Sequence, residues 1–102
     1  MKLIELNMDK ITALCKKYKV AKLWVFGSIL TPRFNEESDV DLSVSFDKEN
    51  IKLDDYADNY FDLLDELKSL FSRNIDLVCD DSVQNPYFRK ELDDTKLLIY
   101  GL

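Results

Sequence analysis

The chain has 102 residues, 46% hydrophobic and 33% charged, with a net charge of −6. That size predicts a single domain over residues 1–102 with a true core and no room for a second. It has no histidine, which excludes Ser-His and Cys-His nucleophilic catalysis, imidazole bases and histidine-ligated metals. Any chemistry must come from carboxylates, hydroxyls, backbone amides and Lys or Arg. The acidic balance argues against a long polynucleotide partner, because phosphate binding needs a basic face; the local cluster Lys16, Lys17, Lys19 and Lys22 reads as solvated. No apolar run approaches the roughly 18 residues of a membrane span, and the first ten residues lack the apolar stretch of a signal peptide. A cytoplasmic protein is expected. In that compartment Cys15 and Cys79 read as small hydrophobes rather than a disulfide, and their spacing suggests no zinc site.

Residues 5–18 place Leu6, Ile11, Leu14, Cys15 and Tyr18 near helical spacing, with Asp9 early and Lys16 and Lys17 late, as the helix dipole prefers. Residues 23–26 are a short apolar run ending at Gly27, a buried strand with Trp24 in its packing. Residues 29–37 predict a short helical turn followed by a loop. Residues 40–46 alternate Val40, Leu42, Val44 and Phe46 with Asp41, Ser43 and Ser45, which is a strand with one polar face. Residues 54–71 then change period. Ala57, Tyr60, Phe61, Leu64, Leu67 and Phe71 form one stripe of an amphipathic helix, its acidic residues solvated and Asp54 or Asp55 available as a cap. Residues 74–79 read as a second alternating strand, 80–82 as loop, 86–92 as a short helix started by Asn85 and Pro86, and 96–100 as a last strand. The fold class is α/β or α+β, a small mixed sheet of about four strands flanked by helices.

Three features carry chemistry. Gly27-Ser28 ends a strand and starts a turn, where glycine admits close backbone approach and the amides suit phosphate. Asp39 and Asp41, two apart on a strand, project from one face, and their mutual repulsion suits a hard divalent cation. Asp76 interrupts an apolar strand, and joins the pair if the two strands are neighbours.

Together, Gly27-Ser28, ten intervening residues, Asp39-x-Asp41 and a later strand aspartate resemble the signature of the nucleotidyltransferase superfamily that includes DNA polymerase beta. Within it the chain resembles the minimal nucleotidyltransferases, often paired with HEPN-domain proteins in toxin–antitoxin modules. The resemblance implies that Gly27 and Ser28 hold a nucleoside triphosphate, with Arg33 able to reach the phosphates. It also implies that Asp39, Asp41 and Asp76 bind two Mg²⁺ ions, Asp76 helping to deprotonate the acceptor. The implied reaction moves AMP from ATP to a partner's hydroxyl, a tyrosine of a HEPN-type toxin. With no acceptor-binding domain, the acceptor is expected on a separate protein or a second copy of the chain. That also disfavours a small-molecule, aminoglycoside-type acceptor. One departure is that Ile29 and Leu30 stand where many relatives carry a basic residue. It motivates an alternative, an antitoxin that acts by binding alone.

Overall fold

A computed structural model describes residues 1–101. Two helices open the chain, α1 (Lys2–Leu6) and α2 (Met8–Lys17). They divide at Asn7, whose side-chain amide donates to Leu3 O at 2.8 Å. The helix predicted over 5–18 therefore begins earlier and is broken, and Leu6, expected on its apolar stripe, is exposed. The strands are β1 (Val20–Phe26), β2 (Val40–Phe46), β3 (Ile75–Cys79) and β4 (Leu97–Tyr100). They form one sheet in the order β3-β2-β1-β4. β1 runs antiparallel to both β2 and β4, whereas β2 and β3 are parallel. The last pairing requires a crossover, which α3 (Tyr56–Phe71) supplies. α4 (Pro86–Thr95) then precedes β4. Asn85 caps α4 by accepting from the amides of Tyr87 and Phe88 at 2.9 and 3.1 Å, and Pro86 occupies the first turn.

The period-two pattern sorts the side chains onto two faces. Leu23, Val25, Val40, Leu42, Val44 and Leu77 join Ile4, Ile11 and Cys15 of the first helices and Leu63, Leu67 and Phe71 of α3 in the core. Each such side chain contributes roughly 1.5–3 kcal/mol of burial. The buried side of α3 differs from the predicted stripe. Leu63, not Phe61, is buried, Ala57 is exposed and Phe61 is 57% exposed. Several adjacent positions on α3 are apolar, so period alone leaves the facing angle open. Asp55 occupies the cap position of α3 but makes no side-chain cap bond, and residues 80–82, predicted as loop, form a 3-10 turn. On the opposite face of the sheet lie Trp24, Phe26, Asp41, Ser43 and Asp76. α4 covers part of that face through the buried Leu92 and a tilted contact between Phe26 and Phe88, ring centroids 6.1 Å apart.

Candidate active site

The expected residues gather at one end of the polar face. β1 ends at Phe26, which pairs with Asp41 at the start of β2. Asp41 in turn pairs with Asp76 at the start of β3. In a parallel ladder, register partners project to the same face, and neighbouring strands lie roughly 4.8 Å apart. Asp41 and Asp76 therefore stand side by side. Asp39 lies two residues before Asp41, in the last step of the loop, and is exposed.

The turn after β1 is a single 3-10 turn, Gly27–Leu30. Gly27 has φ +76°, and a β-carbon placed on it would collide with the Asp41 carboxylate. Both the left-handed backbone and the missing side chain are thus required: glycine alone lets the elbow close against the acid. Ser28 is half-buried in the same turn, and its carbonyl accepts from Thr31 N at 2.9 Å and Thr31 Oγ1 at 2.8 Å. Ile29, next along, is core, so the turn is anchored by an apolar side chain where a basic one would reach outward. Arg33 sits in the exposed loop that follows, its backbone N–H donating to Thr31 Oγ1 at 3.3 Å.

The electrostatics show that the acids sense one another. Burial first, then the charges of Asp76 and Asp39, hold the Asp41 carboxyl above its usual range. A cation between them would remove that repulsion. The donors are all hard oxygens, which fits Mg²⁺ in chemical type. Among the described residues, no three acidic or thiol side chains converge as a finished metal cage. The carboxylates stand as a loose set sharing one corner.

Two features of this corner were not singled out from the sequence. Arg73, just before β3, donates from Nη1 to Asn35 O at 3.0 Å and Ser38 O at 2.9 Å, and its guanidinium lies 4.9 Å from the Phe34 ring centre. It clamps the loop that delivers Asp39. An arginine between a helix and a strand carries no local signal of such a role. The second is a cleft of about 570 Å³ between the Gly27–Thr31 turn and the α4 side chains Phe88, Glu91, Leu92 and Thr95.

Asp80 was likewise overlooked. It is 8% exposed and accepts from Ser43 Oγ (2.8 Å), Lys96 Nζ (2.9 Å) and Arg89 Nη2 (3.1 Å). Lys96 also lies 4.1 Å from the centre of the Trp24 ring. This network fastens α4 to the sheet. The clue was only that one acid of the Asp80-Asp81 pair follows a buried strand.

The sequence profile of the polymerase beta nucleotidyltransferase family matches residues 9–101. A Methanocaldococcus jannaschii protein, provisionally named a protein adenylyltransferase, is 34% identical over 84 residues, 82% of this chain and 79% of that protein. A crystal structure of a toxin–antitoxin with AMP-PNP matches with a TM-score of 0.71 and 22% identity, over 94% of this chain and 74% of the other. A structure of the tri-AMPylated HEPN toxin of Shewanella oneidensis in complex with its MNT antitoxin matches with a TM-score of 0.65 and 23% identity, over 96% and 72%. At these identities the two structures speak for the fold.

Proposed function

The chain belongs to the polymerase beta nucleotidyltransferase family, and we propose that it transfers AMP from ATP to a tyrosine hydroxyl of a HEPN-type partner protein. The observation that carries this reading is the in-register pairing of Asp41 with Asp76 beside the Gly27 elbow, which abuts the Asp41 carboxylate. The named adenylyltransferase relative and the AMPylated toxin complex support the reaction and the partner class.

The residues divide the work by position. The amides at Gly27 and Ser28 open a helical turn, where N–H groups lack intrahelical partners, and they hold the triphosphate with the Ser28 hydroxyl. Arg33 reaches it from the adjoining loop. Asp39, Asp41 and Asp76 would hold Mg²⁺, which when bound supplies neutralisation of phosphate charge and acidification of a hydroxyl. Asp76, on the outer strand β3, accepts the proton of the incoming phenol. The oxygen then displaces pyrophosphate in line at the α-phosphorus. A protein acceptor suits a domain whose acidic corner opens to solvent.

The test combines purified protein, Mg²⁺, ATP labelled in the adenylate and a candidate HEPN partner. Labelled partner, and none with Asp41→Asn, is expected. An unlabelled partner under those conditions would refute the transferase reading.

A second reading draws on Ile29, whose burial leaves no basic side chain directly after the elbow. In it the chain neutralises its partner by contact alone. A flat ATP–Mg²⁺ titration together with a stable partner complex would select it.

A further inference from the structure

We propose that the cleft between the Gly27 turn and α4 receives the base of the donor nucleotide, and that Glu91 reads an exocyclic amine on it. The inference rests on the transferase reading and extends it from the phosphates to the base. Position is the first argument. The sheet order β3-β2-β1-β4 puts Asp76 and Asp41 on one side of the Gly27 elbow and the cleft on the other, toward α4. The acceptor, which must meet Asp76, therefore enters from the β3 side. The donor's remaining part, the nucleoside, is left the α4 side.

Chemistry is the second. At about 570 Å³ the cleft lies within the usual range for small-molecule sites. Phe26 and Phe88 form an apolar wall, their rings tilted by 59°. Among the described residues no lysine or arginine lines the cleft, and Glu91 does. A phosphate tail is repelled from such a site, whereas a flat neutral base gains stacking and apolar burial. The triphosphate thus stays at the elbow amides while the base turns into the cleft.

Hydrogen-bond capacity is the third. The Thr31 hydroxyl donates to Ser28 O at 2.8 Å, and the Thr95 hydroxyl donates to Glu91 O at 2.7 Å. Both protons are committed inside the fold. The cations beside Glu91 on the same helix are also engaged, Arg89 with Asp80 and Asp93 and Lys90 with Asp94. Glu91 lines the cleft and its side chain has no hydrogen-bonded or ion-paired partner among the described residues, which leaves it as the acceptor. Among purines it selects one that donates, adenine through its 6-amine or guanine through its 2-amine.

Calorimetry of the full chain with Mg²⁺ tests this, using ATP, GTP, purine riboside triphosphate (which lacks the amine) and inorganic tripolyphosphate. Wild type is expected to favour ATP or GTP over purine riboside triphosphate on the order of tenfold. Whichever of the two binds tighter identifies the amine. Glu91→Ala should remove that preference, and Thr95→Trp, which fills the cleft from an exposed helix position, should weaken all three nucleotides. Both variants should bind tripolyphosphate as wild type does. Unchanged nucleotide preference in Glu91→Ala, or unchanged ATP binding in Thr95→Trp, overturns the base assignment while leaving the phosphate site standing. A wild type that binds neither ATP nor tripolyphosphate overturns the transferase reading and this one with it.

Discussion

Asp41 and Asp80 sit at opposite ends of the same sheet face, and their surroundings could hardly differ more. Burial alone raises the pKa of either carboxyl, and it is the largest single effect on both. Around Asp80, hydrogen bonds from Lys96 and Ser43 and the charges of Lys96 and Arg89 outweigh it, and the carboxyl ends below its usual range. Around Asp41 the neighbours are Asp76 and Asp39, and they push the same way as burial. One end of the face is a closed network that fastens α4 and β4 to the sheet. The other is left in electrostatic debt at a corner open to solvent. A bound cation would relieve repulsion of this kind, and on that ground the proposed transferase site is assigned to the Asp41 corner.

The largest effect expected from breaking this contrast is catalytic. On the proposed reading, Asp41→Asn should lower AMP transfer on the order of a thousandfold, since losing a metal ligand would remove several kcal/mol of charge stabilisation. The same variant should melt at or slightly above the wild-type temperature, because it removes repulsion. A clear drop in melting temperature would assign Asp41 to structure. Asp80→Ala should behave in the opposite sense, losing roughly 2–3 kcal/mol in chemical denaturation as the half-buried Lys96 and Arg89 and the buried Ser43 lose their acceptor.

pH sharpens the comparison further. A carboxyl held below its unfolded value contributes stability that is present above the unfolded pKa of about 3.9 and is lost as pH falls through the folded one. Asp80 belongs to this class, and so does Asp93, held down to about 2 by hydrogen bonds from Arg89 and Lys96. Wild type should therefore lose stability below about pH 4 more steeply than Asp80→Asn. Parallel curves for the two proteins would show that the network does not stabilise the fold.

Gly27→Ala lies between the two regimes. It should cost about 1–3 kcal/mol through the positive φ and the collision with Asp41, and ATP binding should fall with it. Arg73→Ala should leave the core intact and lower transfer by roughly ten- to a hundredfold, as expected for a residue that orients another. Restoration by Lys would argue for charge rather than the two-pronged hold on Asn35 O and Ser38 O. The smallest effect belongs to the exposed contacts between α2 and α3. Glu66→Gln, which removes the ion pair with Lys17 at 3.2 Å, should leave the melting temperature close to that of wild type.

Residues 40–46 declare their strand and its two faces by alternation alone, and β2 occupies those residues. Gly27-Ser28 and Asp39-x-Asp41 are legible as a candidate site through their resemblance to the nucleotidyltransferase signature; taken singly, a Gly-Ser turn and a pair of strand acids are ambiguous. The capped start of α4 was equally plain in Asn85-Pro86. These signals are local: dihedral preference, period and cap chemistry act within a few residues, so the chain states them in order. The facing angle of α3, the burial of Asp80, the Arg73 clamp and the cleft beside Glu91 join residues up to dozens of positions apart. Their partners are chosen only when β3 comes to lie beside β2 and α4 folds across β1. Local preference cannot encode a distance between segments, and the tertiary structure alone decided whether an aspartate would meet a lysine, another aspartate or water.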